Sequence, residues 1–261
     1  MTIDRLAYIS ILFLAVNVCA QSNEPSDKWK KEILSNNAIS EREYKSIAEK
    51  YDFGPLWTRP DNGHVYGFIG DNYERLRIKI ISAAKDKHRP DTYFVSGRSK
   101  VKGIIRSFSG TIKITETRIY KKMRWGLDDE YKNKGLKNQG VIVGEYLFAE
   151  DRTKEHTGMF KGVMYTSWYI DRNNRLKYDD IEIYSDSYHN NQFVGSWTSY
   201  NSKAVKTCNW GDYRIPNSGD LDGGAGEFSP IDKYLNYGWQ SYQDAFIQNS
   251  EPARREEDKR W

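Results

Sequence analysis

The chain reads as a mainly β protein, an antiparallel barrel or sandwich behind a short N-terminal helical hairpin. Composition points there first: nineteen Tyr, eight Trp and twenty Gly favour half-buried pleated surfaces joined by tight turns. Patterning agrees, because from His64 onward apolar residues recur at period two rather than at helical spacing. The runs between turns number about eight by the strand-and-turn criteria, with no helices alternating between them, which implies antiparallel pairing.

Taken in order, residues 1–20 have the form of an export signal. Arg5 supplies the positive start, Leu6 to Val16 the apolar run, and Val18-Cys19-Ala20 the small residues before Gln21, where the mature chain is expected to begin. Asn17 and the polar run Gln21-Ser22-Asn23-Glu24 stop the segment short of the roughly 20 apolar residues of a membrane span. Lipid attachment at Cys19 is disfavoured by Val18, which stands where lipoprotein signals place a small residue. The expected location is therefore periplasmic or secreted.

Residues 21–53 read as a helical arm. Ser26 is a candidate N-cap for Asp27 to Leu34, and Ser40 to Glu43 has the form of a capping box ahead of Tyr44, Ile47 and Tyr51. Gly54-Pro55 ends the arm, and Arg59-Pro60-Asp61-Asn62-Gly63 is a dense turn signal.

The barrel is assigned to residues 54–246. Ile78 and Ile80 alternate with Arg77 and Lys79, Lys85 to Pro90 makes a charged turn, and Thr92 to Ser96 follows as a strand. Val101 to Tyr120 reads as one or two long strands with a bulge or bend at Gly110. Met123 to Gln139 is a connection and Val141 to Ala149 a strand; Gly158 to Tyr184 is a hairpin turning at Asp171-Arg172-Asn173-Asn174. Gln192 to Tyr200 and Lys203 to Tyr213 form a further pair. After Pro216 the chain is turn-rich until Tyr234, and residues 247–261 read as a frayed, charged tail.

Closure removes exposed sheet edges, and Gly67, Gly97, Gly110, Gly144, Gly162 and Gly195 are where strands have room to bend. Arg75, Arg77, Lys79 and Glu116 interrupt the lipid-facing bands that an outer-membrane barrel requires, so a soluble barrel is taken. The run Gly195-Ser196-Trp197 resembles the Gly-x-Trp of lipocalins. In that family the motif lies on the first strand, whereas here it lies near the end, so the likeness is to a lipocalin-like architecture without membership.

Forty basic against thirty-six acidic side chains give a net charge of +4 spread along the chain. Nucleic acid is thereby excluded as a partner, since phosphate binding needs clustered cations. Of two cysteines, Cys208 has no CxxC partner or adjacent histidine and reads as a buried apolar residue. His64, His88, His156 and His189 show no HExxH spacing, and no nucleophile elbow, phosphate loop or dinucleotide fingerprint is present.

Candidate binding residues lie late in the chain. Trp168, His189, Trp197, Asn209, Trp210, Asp212 and Arg214 combine ring faces with groups that fix orientation. Asp220, Asp222 and Glu227 give a weak calcium reading, because Asp220-Leu221-Asp222-Gly223 starts like a calcium loop but Ser229 stands where a bidentate Glu is needed. No other cofactor is expected. The leading expectation is a non-catalytic exported protein that binds a small molecule, a glycan or a cell-envelope protein. Two alternatives stand beside it: a glycoside hydrolase drawing two acids from Glu145, Asp180, Glu182, Asp212 and Glu227, and an inhibitory or structural partner protein.

Overall fold

The structure, a computed structural model, describes residues 24–58, 64–259 and 261. The export signal with Cys19, the start at Gln21 and the turn Arg59 to Gly63 lie outside the described residues. Three short helices, α1 (Pro25–Leu34), α2 (Lys45–Lys50) and α3 (Gly54–Trp57), precede nine strands. These are β1 (Val65–Ile69), β2 (Glu74–Lys85), β3 (Thr92–Val101), β4 (Ile104–Ile119), β5 (Asn138–Glu150), β6 (Gly158–Ile170), β7 (Leu176–Tyr178), β8 (Asn190–Ser199) and β9 (Val205–Asp212). Two more helices, α4 (Gln240–Tyr242) and α5 (Glu251–Glu257), follow.

Every pairing is antiparallel, and eight strands close in the ring β1-β2-β3-β4-β5-β6-β8-β9, with β7 attached beside β6. The last strand meets the first through Val65↔Asp212, Gly67↔Trp210 and Ile69↔Cys208. The sheet is therefore a barrel rather than a sandwich, and its ring has no free edge.

Aromatic rings fill the interior. Phe193 and Trp210 stack at 4.7 Å, and Tyr146 meets Trp210 edge-on at 5.1 Å. Room for that ring comes from two facing glycines on β6 and β8. A Cβ at Gly162 would stand 2.2 Å from the Val194 carbonyl oxygen, and one at Gly195 would stand 2.4 Å from the Tyr146 hydroxyl. The sequence assigned these glycines to bending, yet the register breaks fall elsewhere, at Ile80/Ser82, Ile114/Glu116 and Asn190/Phe193. Gly110 likewise lies against the Leu147 carbonyl and makes no bulge.

One barrel end is plugged by Phe53, the last residue read as the arm, and by α3, whose residues the sequence reading assigned to the barrel. Phe53, Leu56 and Trp57 are buried in the main core. The Phe53 amide donates to the Tyr93 hydroxyl (2.9 Å), Trp57 Nε1 donates to Thr166 Oγ1 (3.0 Å), and Asn191 Nδ2 donates to the Leu56 carbonyl (2.9 Å). Lys85 Nζ donates to the carbonyls of Ala48, Glu49 and Tyr51, satisfying the end of α2.

The other additions cover the outside of β1. Tyr66 and Phe68 pack under Ile215, Leu221, Phe228, Tyr234, Trp239 and Tyr242, a second core separate from the interior. Trp239 Nε1 fastens it by donating to the Tyr73 carbonyl (2.8 Å).

Several boundaries differ from the sequence reading. Neither Ser26 nor Ser40 caps a helix: α1 starts at Pro25, whose fixed φ suits a first turn, and Ser40 Oγ donates to the Arg42 carbonyl instead. The long run Val101 to Tyr120 is cut by a two-residue turn, Lys102 and Gly103, both at positive φ as a tight hairpin demands. The return strand after Asn174 shrinks to β7, and Asp179 to Tyr188 forms turns. The segment read as a frayed tail is helical in α5, and its Glu257 carboxylate is buried against a partner.

That partner is Arg75, whose two terminal nitrogens donate to the two Glu257 oxygens at 2.8 Å each, with Arg77 at 3.4 Å. Burial raises the Glu257 carboxyl, but the Arg75 hydrogen bonds and charge, with Ser241 and Arg77, outweigh it and hold it at about 2. A carboxyl depressed in the folded state stabilises above its unfolded value of 4.5 and loses that contribution as pH falls toward about 2. Glu257→Ala is expected to cost about 3 kcal/mol, since it takes the carboxylate away from two half-buried guanidinium groups. Urea unfolding of the variant and the wild type at pH 7 and pH 3 checks this, with the difference expected to narrow at pH 3.

Candidate functional site

Antiparallel connectivity places the turns β1-β2, β3-β4, β5-β6 and β8-β9 at the barrel end opposite the plug. Between them opens a cup of about 810 Å³, a size suited to a drug-sized ligand. Its apolar wall includes Trp197, Phe160, Val101 and Ile69, and its mouth carries the exposed Ile104 and Val205.

A carboxylate is set into this wall. Alternation along β5 turns Tyr146, Phe148 and Glu150 inward while Glu145, Leu147 and Ala149 face out. Glu150 is 5% exposed and lines the cup. Its Oε1 accepts from Ser99 Oγ (2.6 Å), and its Oε2 accepts from the Gly158 amide (2.9 Å) and Trp197 Nε1 (3.0 Å). One acid thus orients the ring most suited to stack on a ligand.

Rim charges are arranged differently. Lys102 pairs with Glu74 at 2.8 Å, Arg106 donates to the carbonyls of Ile105 and Glu155, and Lys206 Nζ lies 6.0 Å from the Trp197 ring centroid. Within the barrel, Cys208 is fully buried as the sequence suggests; burial, then the Glu150 charge, push its thiol well above the ordinary range. It is unsuited to be a nucleophile.

Of the residues read as ligand-binding, Trp197 lines the cup and His189 lines a separate side cavity of about 280 Å³. Trp168 and Trp210, at 0% and 1% exposure, fill the core. Asn209 braces the cover, accepting from the Gly195 amide and donating to the Pro216 carbonyl. Asp212 Oδ2 accepts from the Tyr178 hydroxyl and Asn191 Nδ2, both at 2.8 Å. Arg214 donates to Asp222 and to the carbonyls of Gly224, Ala225 and Gly226, organising the turn rather than facing a ligand.

The proposed cation ligands are similarly dispersed. Asp222 is committed to Arg214 and to the amides of Gly224 and Ser229, Asp220 to Lys233 and the Tyr234 hydroxyl, and Glu227 is exposed. Among the described residues no three His, Cys, Asp or Glu gather into a metal-holding group. The side cavity holds Arg124, Tyr165, Ser167, Asp179 and Glu182 beside His189. Burial raises the Asp179 carboxyl despite Arg124 at 3.4 Å.

Compared with family models, curated proteins and solved structures, the chain matches none. Among the described residues no helix is long and apolar enough to cross a membrane.

Ser99→Ala removes a hydrogen bond to a buried charge and is expected to cost about 1.5–3 kcal/mol. Ser107→Ala, on the exposed side of β4, is expected to stay within about 0.5 kcal/mol. Urea unfolding of the two variants gives the comparison.

Proposed function

We propose that this is an exported, non-catalytic binding protein whose ligand enters the barrel through the open end. One observation carries the reading: a large, mostly apolar concavity in which a buried acid fixes the pose of an aromatic ring. Such a combination suits recognition, with apolar surface supplying affinity and a few fixed polar groups supplying orientation. A glycan or a segment of an envelope protein would stack on Trp197 and meet the polar rim.

The hydrolase alternative draws support from a different place. Asp179, kept above its ordinary range by burial, shares the side cavity with Glu182. Both are already committed, Asp179 to Gln139 and Arg124, Glu182 to the Gly126 amide and Ser185, which favours a structural role and leaves the cup reading ahead.

Filling the mouth tests it. Nile red, a neutral apolar dye, is expected to bind the wild type, and Ala204→Trp at the rim is expected to weaken binding at least tenfold. Its melting temperature should stay within about 3 °C, under about 1 kcal/mol of stability. Unchanged dye binding by a folded Ala204→Trp would remove the cup from consideration. N-terminal sequencing of the exported chain is expected to begin at Gln21.

A further inference from the structure

Among the described residues three carboxylates are buried: Glu150, Asp179 and Glu257. Glu257 is held by Arg75 and Arg77, and Asp179 by Arg124. Glu150 has only neutral donors, the Ser99 hydroxyl, the Gly158 amide and the Trp197 indole, and it lines the cup. Neutral hydrogen bonds orient a buried carboxylate but do not neutralise it, and a buried charge without a counter-charge is costly.

We propose that the cup takes an organic cation: a ligand with an aromatic or aliphatic body against Trp197 and Phe160 and a protonated amine directed at Glu150. The inference rests on the cup being the binding site and narrows it to a class of ligand. Three features support a cation over an anion. Glu150 is set into the wall at 5% exposure, where its field is little screened by solvent. Of the basic groups lining the cup, Lys102, Lys206 and His156 are exposed to solvent, Lys102 being answered by Glu74, and the half-buried Arg106 is engaged with main-chain carbonyls. The Trp197 ring lines the cup, and a ligand ammonium against its face would gain a cation–π contact.

The test is calorimetric titration of the wild type with three ligands sharing one ring: tryptamine, tryptophol and indole-3-acetate. Tryptamine is expected to bind at least about tenfold more tightly than either, the advantage of a charge-assisted contact. Glu150→Gln, nearly isosteric, is expected to bring tryptamine down to the level of tryptophol while leaving tryptophol unchanged. Should that variant fail to fold, N-acetyltryptamine on the wild type decides: binding at the tryptophol level supports the proposal, and binding at the tryptamine level overturns it. Equal binding of tryptamine and tryptophol, or tighter binding of indole-3-acetate, overturns the cation while the cup stands. Nile red binding without tryptamine binding does the same. If neither the dye nor any indole binds, the cup itself falls, and the cation with it.

Discussion

Pairing of β1 with β9 is the constraint from which the rest follows. Once the ring is closed, eight strands enclose a space that must be filled, and Trp210, Phe193, Phe160 and Tyr146 fill its middle. Large rings need empty wall opposite them, which Gly162 and Gly195 provide. The plug seals one end, so the space left unfilled is concentrated at the other, and that residual space is the cup.

Much of this architecture could be read from residues. Period-two alternation and short polar turns are local signals, and antiparallel pairing followed from the lack of helices between strands. The cover over Tyr66 and Phe68 was hidden, because a strand buried on both faces by a distant irregular segment carries no periodic mark of it. Lys102-Gly103 was missed because a positive-φ turn with a lysine in first place resembles a continuing charged strand. The tail was misread for a related reason: charge was taken to mean solvation, whereas Glu257 is matched to Arg75 from 182 residues earlier.

The site was less legible. Aromatic and polar residues were collected from the turn-rich end of the chain on the rule that loops carry function, whereas Arg214 and Asp222 hold that segment together and Asp212 ties the end of β9 to Tyr178 and Asn191. Trp197, read as a candidate from the sequence, lines the cup, and its hydrogen-bond partner Glu150 was not among the candidates. A signal for it existed: in Tyr146-x-Phe148-x-Glu150 an acid continues the inward-facing series of two rings, and a charge on the core side of a strand is seldom there for solubility.

The plug has a consequence for how the chain reaches this state. Its anchors are spread over β3 through Tyr93, β6 through Thr166 and β8 through Asn191, so its seat is complete only after nearly all of the barrel has been synthesised. Until then Phe53, Leu56 and Trp57, made early, have nowhere to bury. Contacts this distant in sequence slow folding and prolong the time that sticky side chains are in the open. The segment that finally seals the barrel is therefore among the last to find its place.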